Sequence, residues 1–243
     1  VDCQQHDPGK RKQHREERRD ALENRQSLLQ TAAALFMKNG VEAVTMTDIA
    51  KATGVGQGTL YRNFSHKGAL CDALVAPQFE RFQAEASANF GYDEATTEPL
   101  QLVHLFLVQF ANFIETHTCY LQTIYTAYQT QHDFSFYQCN RHQWNRERVK
   151  HYLQNAVAKG TCRADLDCDY LADALLAPIQ IDLYLYHRHC LGWSAERIMI
   201  GLSQLVEGLA PLPAQTTEQK HAGPTCELKG WRSVGGRTDE EDV

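Results

Sequence analysis

Much of enzyme chemistry is missing from this sequence. It has no H-E-x-x-H, no glycine-rich phosphate loop and no nucleophile elbow, so no catalytic residue, metal or cofactor is expected. None of the eight cysteines stands in a C-x-x-C pair, and a chain of 243 residues does not need a disulfide framework to fold. No stretch approaches the run of about eighteen apolar residues that a spanning helix needs, so no membrane partner is expected. The polar, charged start is unlike a secretory signal, and a cytoplasmic protein is the expectation. His187, His189 and Cys190, with Asp182 nearby, come nearest to a metal cluster. On a helix, however, His187 and His189 are two apart and face different ways, where sharing a metal on one face calls for a spacing of four.

Hydrophobic side chains make up 43% of the chain and charged ones 22%, ordinary values for a globular protein with a sizeable core. The net charge of −6 conceals an uneven distribution. Lys10 to Leu70 holds eleven Lys/Arg against six Asp/Glu, whereas residues 71–243 hold thirteen against twenty-two. One end of the chain is basic, and phosphates respond to the local field rather than to the total.

That basic end contains Thr45 to Lys67, TMTDIAKATGVGQGTLYRNFSHK. Thr45 with Asp48 three residues on has the form of a capping box. Ile49, Ala50 and Thr53 share a face, and Gly54 stands where a left-handed corner is needed. Gly56-Gln57-Gly58 resets the chain, and Leu60 and Phe64 give a second short helix its inward face. Two short helices around a glycine corner form a helix-turn-helix. Gln57 suits an adenine edge, Thr59 a base or thymine methyl, and Tyr61 and Lys67 suit phosphate oxygens. Arg62 is the remaining outward side chain. A plain helical hairpin with its polar residues in water is the blander alternative for each residue singly. Taken together, cap, small residue, corner and polar helix start favour DNA reading.

Leu22 to Leu74, through AAALFMKNG, VTMTDIAKATGV, GQGTLYRNF and HKGAL, resembles the DNA-binding domain of the TetR (AcrR-like) family of bacterial transcriptional regulators. The resemblance implies an all-α protein, with a three-helix DNA-binding domain followed by a helical bundle for ligand binding and dimerisation. By position it assigns DNA contact to Thr47, Gln57, Gly58, Thr59, Tyr61 and Lys67; Thr45 and Arg62 complete the candidate surface. It also implies a homodimeric repressor, released from a pseudo-palindromic DNA operator by a small-molecule effector.

Along the chain, residues 1–20 read as a flexible basic arm, either a solvated tail or a phosphate or minor-groove contact. Residues 21–74 are the DNA-binding domain, in which Leu22 to Lys38 forms an amphipathic helix stopped by Asn39-Gly40. Residues 75–210 are the bundle. It starts within a helix from Lys67 to Phe90, capped by Ser65 and kinked at Pro77. Further helices are expected from Leu100 to Ile114, from Phe134 to Ala158, from Tyr170 to Cys190 behind an Asp167 cap, and from Ala195 to Leu209 behind Ser194. Tyr120 to Tyr128 forms an aromatic-rich segment. Residues 211–243 read as a disordered tail, with Trp231 its one oddity.

Phe106, Phe110, Phe113, Tyr125, Tyr128, Trp144 and Tyr184 admit two readings: ordinary core, or the wall of an apolar ligand pocket between helices. Leu171, Leu175, Ile179, Leu183 and Tyr186, with Ile198, Leu202, Leu205 and Leu209, are either core or the two-fold interface that the resemblance implies for the last two helices. Two other functions stay open. One is a thiol-based redox regulator, with Cys162 and Cys168 in a loop and Arg163 lowering the Cys162 pKa. The other is a small-molecule-binding helical protein or enzyme with no DNA function.

Overall fold

In the computed structural model, residues 8–129, 137 and 139–211 are described, with side chains from Arg19 onward. Phe134, Phe136, Trp231 and most of the expected tail lie outside them. Among the described residues nine α-helices run in the order α1 Pro8–Asn39, α2 Met46–Thr53, α3 Gln57–Asn63, α4 Lys67–Ser87, α5 Pro99–Gln129, α6 Asn140–Ala158, α7 Cys168–Leu176, α8 Ile181–Leu185 and α9 Ala195–Glu207. Among the described residues there is no strand, so the fold is all-α. None of these helices is long and apolar enough to cross a membrane.

Two apolar clusters organise them. The first collects Leu28, Ala32 and Phe36 of α1 with Ile49, Ala50, Leu60, Phe64 and Leu70. The four-residue steps along α1 set one face against α2 and α3, and Gly40, at φ +82°, ends the helix. The second cluster is aromatic and aliphatic and lies within the bundle, where Phe79, Phe82, Phe106 and Phe110 meet Tyr152 and the apolar sides of α7 to α9. Ile124 of α5 belongs to the first cluster, so the end of α5 completes the core under α1 to α4.

Several boundaries differ from the sequence reading for identifiable reasons. Helix α1 starts at Pro8, well before Leu22. Glycine and proline are absent between Leu100 and Gln129, and α5 accordingly runs unbroken where two segments were expected. Pro77 sits on an exposed position inside the continuous helix α4. That helix stops at Ser87 rather than Phe90, because Asn89 and Phe90 take positive φ of 48° and 52°. Buried Tyr152 donates to Asn89 Oδ1 at 2.7 Å and so fixes that turn. His66, not Ser65, caps α4: its Nδ1 accepts from the Ala69 N–H at 3.1 Å.

The expected helix from Tyr170 to Cys190 is broken. Pro178 has no N–H to donate and stands in a 3₁₀ turn, Ala177–Ile179, after which Gln180 is extended. Helix α8 is then short and closes in a π-turn, Tyr186–Cys190. Asp167 does cap the start of α7, accepting from the Asp169 and Tyr170 N–H groups, and Ser194 caps α9. Arg146 pins α6 to α7, donating to Asp173 at 3.0 Å and to Asp169 at 2.8 Å.

Candidate nucleic-acid interface and interior cavity

The helix-turn-helix is held by the interactions its sequence offers. The Thr45 backbone N–H donates to Asp48 Oδ2 at 2.9 Å, and the Asp48 N–H donates to Thr45 Oγ1 at 3.2 Å. The hydroxyl of Thr45 also donates to Asp48 at 2.6 Å, so this candidate contact is occupied within the cap. These hydrogen bonds hold the Asp48 carboxyl below its usual range. Gly54 makes the corner at φ +71°, its N–H meeting the Lys51 carbonyl. Leu60 and Phe64 are buried beneath α3. Arg25 of α1 clamps the far end of α3, its guanidinium 4.2 Å above the Phe64 ring and 3.0 Å from the Asn63 carbonyl.

The opposite face of α3 is open. Gln57, Gly58, Tyr61 and Arg62 are exposed, and Thr47, Thr59 and Lys67 are half-buried at its edge. Gln57 Nε2 donates to Thr47 Oγ1 at 3.3 Å, which brings these two side chains from α2 and α3 together. Arg62 folds back along its own helix onto the Gly58 carbonyl and the Thr59 hydroxyl, both at 3.2 Å. Lys67 Nζ reaches the Glu42 carbonyl at 3.1 Å and holds the loop before α2. Tyr61 is 49% exposed. The eight candidate residues thus lie on or beside one surface, with Thr45 and Lys67 also serving the scaffold.

Behind this domain lies a cavity of about 420 Å³ between α4, α5, the start of α6 and the α7–α8 turn. Of the sequence candidates, Phe110, Phe113 and Tyr128 line it. Phe106, Trp144, Tyr125 and Tyr184 do not. Phe106 is fully buried, and Trp144 packs at ring distances of about 6 Å on Phe79, Phe82 and Phe106. Tyr125 is half-buried, and burial pushes its hydroxyl pKa up. Tyr184 is buried with its hydroxyl on Glu115 Oε2 at 2.5 Å, and Arg188 holds the other Glu115 oxygen at 2.8 Å.

The polar part of the wall escaped the sequence reading. Asp72 of α4 and Arg141 of α6 form an ion pair across it, and His142, Asn145 and Gln180 stand alongside. Gln180 Nε2 meets His142 Nδ1 at 3.2 Å. Burial pushes the His142 pKa down and so favours the neutral ring, against the pull of Asp173 toward the charged form. A signal was there: His142 and Asn145 occupy the first two positions of the buried stripe that continues through Val149, Tyr152 and Ala156. Polar residues on a core face ask for partners.

The cysteines and histidines fall differently from the alternatives raised above. Burial pushes the Cys162 thiol up, as it does that of Cys168, which is also beside Asp167 and Asp169. The expected lowering by Arg163 does not prevail. Burial pushes Cys71 up to about 12. Such thiols are poorly ionised at neutral pH. His187 stacks on Trp193 at 4.5 Å, and among the described residues no three His, Cys, Asp or Glu form a metal-holding group.

The expected interface face divides. Leu175, Ile179, Ile198 and Leu202 are buried in the bundle, while Leu183, Tyr186 and Leu205 are exposed together with Leu191 and Ile200.

Comparison with known proteins agrees with this geometry. Residues 28–74 match the family model described as bacterial regulatory proteins, tetR family. HTH-type transcriptional regulators from two strains of Staphylococcus aureus are 45% identical to this chain over 65 residues, or 27% of this chain and 35% of theirs. The match thus spans about a third of the length of these curated relatives. Among solved structures, Thermus thermophilus FadR, a TetR family transcriptional repressor in complex with lauroyl-CoA, is similar with a TM-score of 0.58 and 15% identity, covering 82% of this chain and all (100%) of that one. A TetR/AcrR family regulator from Thermobifida fusca gives 0.55 and 19%, covering 78% and 100%. At these identities the structures share the fold.

Proposed function

We propose that this chain, whose residues 28–74 match the model of the tetR family of bacterial regulatory proteins, is a sequence-specific DNA-binding transcriptional regulator, a homodimeric repressor released from its operator by a small molecule. The observation that carries this reading is the open polar face of α3, presented by a buried Leu60–Phe64 underside and a fully formed capping box. Gln57 reads a base edge with Thr47 beside it, while Tyr61 and Lys67 fix register on phosphates. Gly58 admits the backbone closely, and Thr59 reaches a base.

Dimerisation is part of the same reading. One helix-turn-helix binds weakly, and two presented about 34–36 Å apart match successive major-groove faces of a pseudo-palindrome. The exposed Leu183, Tyr186, Leu191, Ile200 and Leu205 around α8 and α9 are the surface for this contact. Residues 75–210 then serve as the ligand-binding and dimerisation domain, residues 1–20 as a basic arm and residues 211–243 as a tail.

The cavity is the effector site. Asp72, Val75 and Phe79 give α4 a long share of its wall, and the first turn of α4 is packed into the core under α3. An effector that prefers a shifted α4 changes the distance between the two recognition helices. It does so only by its difference in affinity between the two arrangements. The fold neighbour solved with lauroyl-CoA supports an effector role for the bundle.

Selection of random duplexes on the purified chain tests the reading. The expected winner is an inverted repeat with half-site centres one helical turn apart; absence of enrichment by a dimeric chain contradicts it.

A further inference from the structure

The cavity wall carries information about what it holds. Its greater part is apolar, from Phe79 and Val75 of α4 through Phe110 and Ile114 of α5 to Ile179 and Ile181. Its two formal charges cancel: Asp72 and Arg141 are paired with each other, and the Arg141 guanidinium also lies 5.6 Å above the Phe79 ring. The neutral groups His142 and Gln180 satisfy one another at 3.2 Å. Asn145 is different. It is 3% exposed and lines the wall, and its Oδ1 is buried with no hydrogen-bond partner among the described residues. An unpaired amide oxygen in such surroundings is costly and awaits a donor.

We infer that the cavity takes an uncharged, largely apolar ligand carrying one hydroxyl-type hydrogen-bond donor, which Asn145 Oδ1 accepts, and that it refuses charged counterparts of the same shape. This rests on the reading of the cavity as the effector site. An anion entering the cavity finds Arg141 already neutralised, and taking it would leave the Asp72 carboxylate without its partner. A cation meets the mirror-image problem at Asp72. Either ion exchanges its hydration for an apolar wall with no free counter-charge among the described residues. A hydroxyl loses far less and pairs an atom that is otherwise unpaired. A volume of about 420 Å³ accommodates a compact molecule of this kind.

Three probes of matched length test the inference by calorimetric titration of the full chain: decan-1-ol, nonyl methyl ether, which accepts but does not donate, and decanoate. The alcohol is expected to bind about tenfold more tightly than the ether, and decanoate more weakly than either. Asn145→Leu is expected to keep the ether affinity and to lose the advantage of the alcohol. Equal affinity for alcohol and ether, strongest binding of decanoate, or no binding of any probe overturns the inference on the wild-type chain alone, whatever the folding of the variant. An alcohol preference that survives in folded Asn145→Leu also overturns it. Binding of the alcohol that leaves a preformed DNA complex intact contradicts the effector reading instead, and leaves the ligand class standing.

Discussion

Gly68 in the first turn of α4 faces Ala127 near the end of α5 so closely that a Cβ on Gly68 would overlap the Cβ of Ala127. Around this contact the His66 ring meets the edge of Tyr128 at 5.1 Å, and Phe36 of α1 meets Tyr120 at 6.0 Å. The seam joins the bundle to the DNA-facing core, and α4 passes through it between the cavity and α3.

Gly68→Ala therefore sets two effects against each other. Alanine gains about 1 kcal/mol of helix propensity, while overpacking a rigid contact costs about 1–3 kcal/mol. Because the neighbour is a methyl carbon fixed to its own helix, the cost wins, and the thermal midpoint is expected to fall. Ala127→Gly in the same chain removes the overlap and is expected to recover part of the loss. Circular dichroism melts of the two single variants and the double variant check this.

Substitutions on the α3 face are expected to separate by role. Gln57→Ala relaxes preference at one base position, losing about 1–3 kcal/mol of discrimination there. Lys67→Ala weakens binding to all sequences alike and lowers the salt slope by about one. Affinities for a set of single-base operator variants, taken at several salt concentrations, distinguish these outcomes.

The Glu115 cluster predicts a pH dependence. Burial works against ionisation of Glu115, but hydrogen bonds from Arg188 and Tyr184 outweigh it and hold the carboxyl below its ordinary 4.5. A carboxyl depressed on folding stabilises the protein above its unfolded pKa, and that contribution is lost as pH falls through the folded pKa. Glu115→Gln is thus expected to be less stable than wild type at pH 7, with the difference shrinking below about pH 4. Urea melts across that range measure it; a difference independent of pH contradicts the assignment.

The exposed apolar side chains of α8 and α9 predict the assembly. Ile200→Glu places a charge on the proposed interface while leaving the buried Ile198 and Leu202 in place. It is expected to shift sedimentation toward the monomer and to reduce operator affinity without changing the helical signal.

Local chemistry made the DNA-facing end legible. Thr45, Asp48 and Gly54 act within a few residues of one another, so spacing alone specifies cap and corner. The α7–α8 break was also written locally, in Pro178, although apolar periodicity from Leu171 to Tyr186 masked it. The cavity depends on long-range packing. Asp72 meets Arg141 across 69 positions, and Gln180 meets His142 across 38, and neither pair has a periodic signature. The aromatics chosen for the pocket share one apolar character, and only packing separates Phe110 on the wall from Phe106 in the core. Arg163 lies beside Cys162 in sequence, yet burial decides the state of the thiol.

The central claim is that α3 reads DNA. Fluorescence anisotropy of the wild-type chain on the selected duplex and on its shuffled counterpart, across a salt series, tests it most directly. The account predicts saturation at two chains per selected duplex, clear preference over the shuffled one, and affinity that falls steeply with salt. Equal, weak binding to both duplexes would contradict it.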